Sequence, residues 1–232
     1  RVLCIPCDGD QMINLFYGFD RREEPGSHVF LSSVMQHAAD PLNLIPLTSR
    51  GLAQGTNEFT LSRFLAPSLC GFAGHSIFVD GADMIMLDDI AKLDALFDAQ
   101  YAVQVVKHAD YTSRHARKYI GTALECEQSN YARKNWASVM LFNNEHPAWR
   151  ELTRVLSSAA KIDVLQFRFL ENREIGSLPP EWNVIVDEGH EHPEAKILHW
   201  TAGIPFFPHY ADAPRAAEWR VPRGLVVSGP GG

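Results

Sequence analysis

The stretch Phe78-Val79-Asp80-Gly81-Ala82-Asp83-Met84-Ile85 puts two carboxylates three positions apart across a glycine, directly after an apolar run. Burying both without a counter-charge costs on the order of several kcal/mol in desolvation and mutual repulsion. A divalent cation removes that penalty. Oxygen ligands suit a hard ion such as Mg²⁺ or Mn²⁺, which can also hold two phosphate oxygens. Such an ion offsets the charge that gathers on a diphosphate as it leaves. The same residues permit a plainer structure, a solvated acidic turn in which Asp88 or Asp89 caps the next helix.

Two other clusters could hold a metal or do redox chemistry. His190 and His192, one residue apart, could make a zinc site with His199. That spacing fits no zinc motif, and Glu188, Pro193 and Glu194 make the segment read as an exposed loop. Cys4 and Cys7 form a lone C-x-x-C without the second pair of a zinc ribbon, so small buried strand residues are the favoured reading.

The acidic pair needs a strand to carry it and a sheet to bury that strand. His75–Asp80 is an apolar run ending in acid, and Ile13–Phe16 is a second, leading through Tyr17-Gly18-Phe19 to Asp20. Further strands are expected at Leu42–Thr48, Tyr101–Lys107 and Ala137–Phe142. Helices are expected over residues 24–38, over Thr60–Leu69 with Pro67 as a limit, over Ile90–Phe97, and over His146–Ala159, where Pro147 sits in the first turn. Strands alternating with helices predict a mostly parallel sheet covered on both faces. Ligands of such sheets bind beyond the carboxyl ends of strands, where Asp20 and Asp80–Asp83 fall. From about residue 165 the chain is rich in Pro, Trp and His and reads as an irregular cap on the acceptor side.

The 232 residues are 46% hydrophobic and 21% charged, which suits one globular α/β domain over 1–232. Residues 1–11 read as an extension, non-native or flexible, with Met12 as a candidate natural start. The net charge of −7 and the lack of a basic run argue against nucleic acid as a partner. No apolar run approaches the ~20 residues of a membrane span. Few cysteines and no visible signal peptide lead to the expectation of a cytoplasmic protein.

The segment from Ser62 to Leu93, SRFLAPSLCGFAGHSIFVDGADMIMLDDIAKL, resembles the stretch carrying the D-x-D motif in family 8 glycosyltransferases and related bacterial and phage-type proteins of the GT-A fold. In those families an apolar strand ends in the aspartates and a D-I-x-x-L helix follows, here Asp89-Ile90-Ala91-Lys92-Leu93. The departure is one extra residue between Asp80 and Asp83, expected to be absorbed by a bulge at Gly81. FYGFDRRE, RKNWASVMLFN and HWTAGIPFF resemble further motifs, so the likeness spans residues 12 to 208.

The resemblance implies a GT-A fold, with a mixed, mostly parallel sheet flanked by helices. It implies Asp80, Asp83 and His199 as ligands of Mn²⁺ or Mg²⁺, with Asp80, Asp83 and Asn135 at the reacting centre. Donor contacts would come from Tyr17, Gly18, Phe19, Asp20, Arg63, Ser138 and Gly203. Tyr17 or Phe19 could stack on a base and Asp20 accept from it; the alternative is a helix-entry turn salt-bridged to Arg21 and Arg22. The lysine that commonly follows the histidine motif is absent, since Gly203 leads into Ile204-Pro205-Phe206. Arg63 or Lys134 would carry that charge. Glu171, Glu174 and Trp182 are candidate acceptor contacts, although packing of the loop is their more ordinary role.

The implied activity is metal-dependent transfer of a sugar, with retention, from a nucleoside-diphosphate sugar, UDP by preference, to an acceptor hydroxyl. Two rivals stay open: a non-catalytic nucleotide-sugar-binding module of the same fold, and a metal-dependent phosphohydrolase.

Overall fold

The computed structural model describes residues 12–48, 52, 57–108 and 111–221. Residues 1–11, with Cys4 and Cys7, lie outside the described residues.

Strands occur at β1 (Ile13–Gly18), β2 (Leu42–Leu47), β3 (His75–Val79), β4 (Met84–Met86), β5 (Val103–Val106), β6 (Arg117–Lys118), β7 (Cys126–Glu127), β8 (Val139–Asn143), β9 (Ile175–Leu178), β10 (Val184–Ile185) and β11 (Ile197–His199). Helices are α1 (Glu24–His37), α2 (Ala66–Leu69), α3 (Ala91–Asp94), α4 (Pro147–Val155), α5 (Lys161–Leu165) and α6 (Ala216–Arg220). The central sheet runs β2-β1-β3-β8-β5-β9. Only β8 opposes the other five strands, pairing antiparallel with β3 and β5. This is the mixed, mostly parallel sheet expected from the sequence. Pro46 sits in β2, an edge strand, where its missing N–H breaks no interior ladder.

Alternation along the strands builds two cores. Phe16, Phe78, Met140 and Phe142 join Trp149 and Leu152 of α4 on one face. Leu15, Tyr17, Ile77, Val79 and Leu141 join Phe30 and Val34 of α1 on the other. A third core, with Trp200 and Trp219, lies around the small sheet β10-β11-β4.

Several expected elements are shorter or different. Thr60–Leu69 is a 3₁₀ turn over Ser62–Leu65 followed by one α-turn, and Pro67 opens that turn instead of ending a helix. The helix at Ile90–Phe97 shrinks to α3. Ala137 and Ser138 belong to a 3₁₀ turn, not to the strand, which starts at Val139. The C-terminal third is more than a cap: it supplies β9 to the central sheet and β10 and β11 to the small one.

Candidate active site

β3 ends at Val79, and Asp80 continues it into a tight turn. Ala82 N–H donates to the Asp80 carbonyl (3.1 Å) and Met84 N–H to that of Gly81 (2.9 Å). The residue expected to form a bulge therefore forms a turn. Gly81 has φ +83°, a conformation that glycine adopts without steric cost. The turn leads into β4, which pairs antiparallel with β11 so that His199 stands opposite Met84. Trp200 N–H donates to the Asp83 carbonyl (2.9 Å). The register thus delivers His199 beside Asp83, with Nε2 3.3 Å from Oδ2.

Asp80, Asp83 and His199 each offer a ligand atom, all within 4.8 Å of one another, and all three residues are buried. Asp83 Oδ1 accepts no hydrogen bond from the described residues. Asp80 Oδ1 lies 2.6 Å from Arg63 Nη1, a close ion contact not aligned as a hydrogen bond. On the far side of the imidazole, His199 Nδ1 lies 2.9 Å from Asn183 Oδ1. An amide oxygen only accepts, so Nδ1 donates in that contact, and Nε2 is the ring nitrogen that faces the carboxylates. Burial raises the Asp80 pKa, and Asp83 adds to this while Arg63 opposes it. Burial alone would lower His199, but Asp83, Asp80 and Asp187 outweigh it and raise its pKa.

Because β8 runs antiparallel beside β3, its start faces the end of β3, and Asp80 N–H donates to the Ser138 carbonyl (2.9 Å). Asn135 adopts φ 61°, ψ 8°, a left-handed conformation that asparagine tolerates. Its amide nitrogen donates to the Tyr111 hydroxyl. Arg63 is buried between the rings of Phe59 and Phe78, 5.2 Å from each centroid. It also donates to the carbonyls of Thr60 (3.1 Å) and Ala137 (2.7 Å). Its role visible here is to hold Asp80 and the start of β8.

One cleft collects Arg63, Asp80, Asp83, Asn135, Ser138 and His199. Tyr17, Gly18, Phe19, Asp20 and Gly203 are not in its lining. Tyr17 packs against Phe30, 5.7 Å between centroids. Gly18 lies so close under Phe59 that an added Cβ would come within 2.3 Å of the ring. The Asp20 carboxylate caps the turn at Arg21–Glu23, accepting from Arg22 N–H (2.9 Å), Arg22 Nε (2.8 Å) and Glu58 N–H (3.0 Å). Burial opposes ionisation there, yet these bonds hold its pKa below the usual range. The salt-bridged helix-entry alternative describes Asp20. Gly203 is packed by Tyr210.

Other candidates resolve into packing. Glu171 and Glu174 form a reciprocal capping box and Trp182 is core, which accounts for them structurally. Asp89 caps α3, accepting from Ala91 N–H (2.9 Å). The zinc trio does not assemble: His190 packs against His108 and Tyr111, and among the described residues only Asp80, Asp83 and His199 group as metal ligands.

Residues that the sequence does not single out complete the site. Lys118, Tyr119, Gln128, Tyr131 and Lys161 line the cleft, mostly from the segment around β6 and β7. That segment is tied down where Tyr119 N–H donates to the Ala202 carbonyl (2.6 Å). Glu23 is buried, and its pKa is raised well above normal by burial and then by Asp83.

A protein from Arabidopsis thaliana, Protein CDI, is 33% identical over 225 residues, covering 88% of this chain and 83% of that protein. The chain belongs to the CDI family. No protein-family model matches the CDI-family chain. Among solved structures it aligns with the WbbM bifunctional glycosyltransferase at TM-score 0.68 and 14% identity, over 98% of this chain and 51% of that one. With the glycosyltransferase GlyE of Streptococcus pneumoniae TIGR4 the TM-score is 0.61 at 12% identity, over 91% and 60%. With the galactosyltransferase LgtC, solved in complex with donor and acceptor sugar analogues, it is 0.58 at 12% identity, over 90% and 95%. The chain thus spans about half of WbbM and 60% of GlyE. At these identities the shared property is the fold, and it is the GT-A glycosyltransferase fold. No helix among the described residues is long and apolar enough to cross a membrane.

Proposed function

We propose that this CDI-family protein is a metal-dependent glycosyltransferase that moves a sugar from a UDP-sugar to an acceptor hydroxyl. The observation that carries the reading is the convergence of Asp80, Asp83 and His199 on a GT-A fold, all buried and with ligand atoms within 4.8 Å. The donor set fits Mn²⁺ or Mg²⁺: two carboxylates, one with an unpartnered buried oxygen, and an imidazole whose second nitrogen is held by Asn183. An ion held there would neutralise the charge developing on the leaving diphosphate.

Arg63 opposes the rise in the Asp80 pKa and holds its carboxylate in position, and Asn183 keeps Nε2 of His199 turned inward. Asn135 and Ser138, at the start of β8, border the place where the donor sugar would lie. Asp80 and Asp83 are the only carboxylates in the described lining of the cleft. Neither is free to act as nucleophile or base, so the reading includes retention, with the acceptor proton passing to the departing diphosphate. The low cysteine content, four in 232 residues, suits a reducing compartment, and cytoplasmic residence is part of the proposal.

Calorimetric titration with UDP, first with Mn²⁺ and then with the ion chelated, tests the reading. Binding that needs Mn²⁺ and disappears in Asp83→Ala is expected. Metal-independent binding, or an undiminished Asp83→Ala protein, would remove the metal assignment. Failure of both UDP and GDP to bind would leave a protein that shares only the fold.

A further inference from the structure

The described lining of the cleft holds four basic side chains, Arg63, Lys118, Lys134 and Lys161, against two carboxylates, Asp80 and Asp83. A divalent ion adds two positive charges, and the diphosphate of a nucleotide sugar supplies two negative ones. An excess of about two positive charges therefore persists with ion and donor in place. It stands out in a chain whose net charge is −7.

The excess is localised. Arg63 is spent on Asp80. The lysine ion pairs among the described residues belong to Lys92 and Lys196, and none involves Lys118, Lys134 or Lys161. Lys134 is buried, and its ammonium donates to the Gln128 side chain (3.1 Å) and the Ser129 carbonyl. Both acceptors are neutral and take two of its three N–H donors, and the ammonium lies 5.4 Å from the centroid of the Tyr131 ring, which also lines the cleft. A buried ammonium without a counter-ion is costly. Burial, and then the nearby charge of Lys118, lower its pKa to about 8, with the charge of Glu188 acting the other way. Lys118 lies over the Tyr119 ring at 5.3 Å and is half-buried beside the same space. The cleft's two carboxylates, Asp80 and Asp83, are taken by Arg63 and His199, so two adjacent cations with no ion pair of their own among the described residues suit an oxyanion between them.

We infer that the substrates of this cleft carry an acidic group beyond the donor's diphosphate, a carboxylate or phosphate on the donor sugar or on the acceptor, received by Lys118 and Lys134. This rests on the nucleotide-sugar reading above.

The test is calorimetric, on the full chain with Mn²⁺, in two arms. UDP-glucuronate is compared with UDP-glucose, and, with UDP bound, glucose 6-phosphate is compared with glucose. The acidic member should bind at least about tenfold tighter in one arm, and the arm that responds identifies the source of the acid. Lys134→Met and the less buried Lys118→Met should each reduce that preference to within about twofold, the affinity for the acidic member falling further than that for UDP alone. The two variants separate loss of the subsite from loss of the fold. UDP binding with no acidic preference in either arm overturns the inference and spares the function. A fall in UDP affinity equal to that of the acidic ligand overturns it too, since the lysines would then serve the diphosphate. Failure of UDP and GDP alike removes the function and the inference with it.

Discussion

Asn183 is not in the described lining of the cleft, yet it decides which face His199 presents. Its Oδ1 accepts from His199 Nδ1 (2.9 Å), and its Nδ2 donates to His108 Nε2 (3.1 Å). A partner of this kind fixes the tautomer and ring orientation of a ligating histidine, and its loss typically costs about 10–100-fold in metal affinity. Asn183→Leu should weaken Mn²⁺ binding by about that factor, read by competition with a chelating dye, and unchanged affinity would show that the ring is held by packing alone. The same chain of contacts predicts a pH effect. Burial, then His190 and His199, depress His108 to about 3. The unfolded chain takes up that proton below its ordinary pKa of about 6.5, whereas the folded chain refuses it down to about 3. The contribution to stability is therefore intact above about pH 6.5 and is lost progressively as pH falls toward 3. Urea midpoints at pH 7.5 and 5 should differ less in His108→Gln than in the parent protein.

At the scale of elements, α1 sets the position of the acidic turn. Gly26, in its first turn, lies so close to the turn that a Cβ would come within 2.0 Å of the Ala82 carbonyl oxygen, a backbone atom that cannot rotate away. Gly26→Ala should destabilise the protein by about 1–3 kcal/mol and displace the turn between Asp80 and Asp83. Urea unfolding reads the first effect and Mn²⁺-dependent UDP binding the second, with a loss of tenfold or more expected. An unaltered protein would mean that α1 slides without moving the turn. The acidic turn is legible in the sequence because β3 is a continuous apolar run that stops at an acid, a pattern that burial on both sheet faces imposes. β11 is three residues long and takes its place from pairing with β4, which periodicity cannot report. Residues 117–135 hold Lys118, Tyr119 and Lys134 through two-residue strands and isolated contacts, so no repeat marks them. Glu23 reads as an ordinary helix-entry acid, and its burial within reach of the Asp83 charge appears only in the fold. At Asp20 the local rule wins: an aspartate before a helical turn caps it, and that use consumes the carboxylate.

At the scale of the molecule, the site is a junction. Arg63 comes from the turn before α2, Asp80 and Asp83 from the β3–β4 connection, Asn135 from the entry to β8, and His199 from β11. These segments belong to two sheets and border all three cores. A ligand that binds only when they are assembled stabilises the folded chain as a whole, by about 2.7 kcal/mol at a hundredfold excess over its Kd. For a chain of this length that corresponds to a rise of about 5–10 °C, from a sensitivity of roughly 2–4 °C per kcal/mol. Calorimetric scans should show this rise with Mn²⁺ and UDP together, and a smaller one with Mn²⁺ alone. Neither rise should occur in Asp83→Ala. Ions collecting on scattered surface carboxylates would shift the parent and Asp83→Ala equally, because that acidic surface is common to both. An equal shift would therefore detach the metal from the cleft, whereas a shift confined to the parent ties the fold's stability to Asp83 and to the ion it would hold.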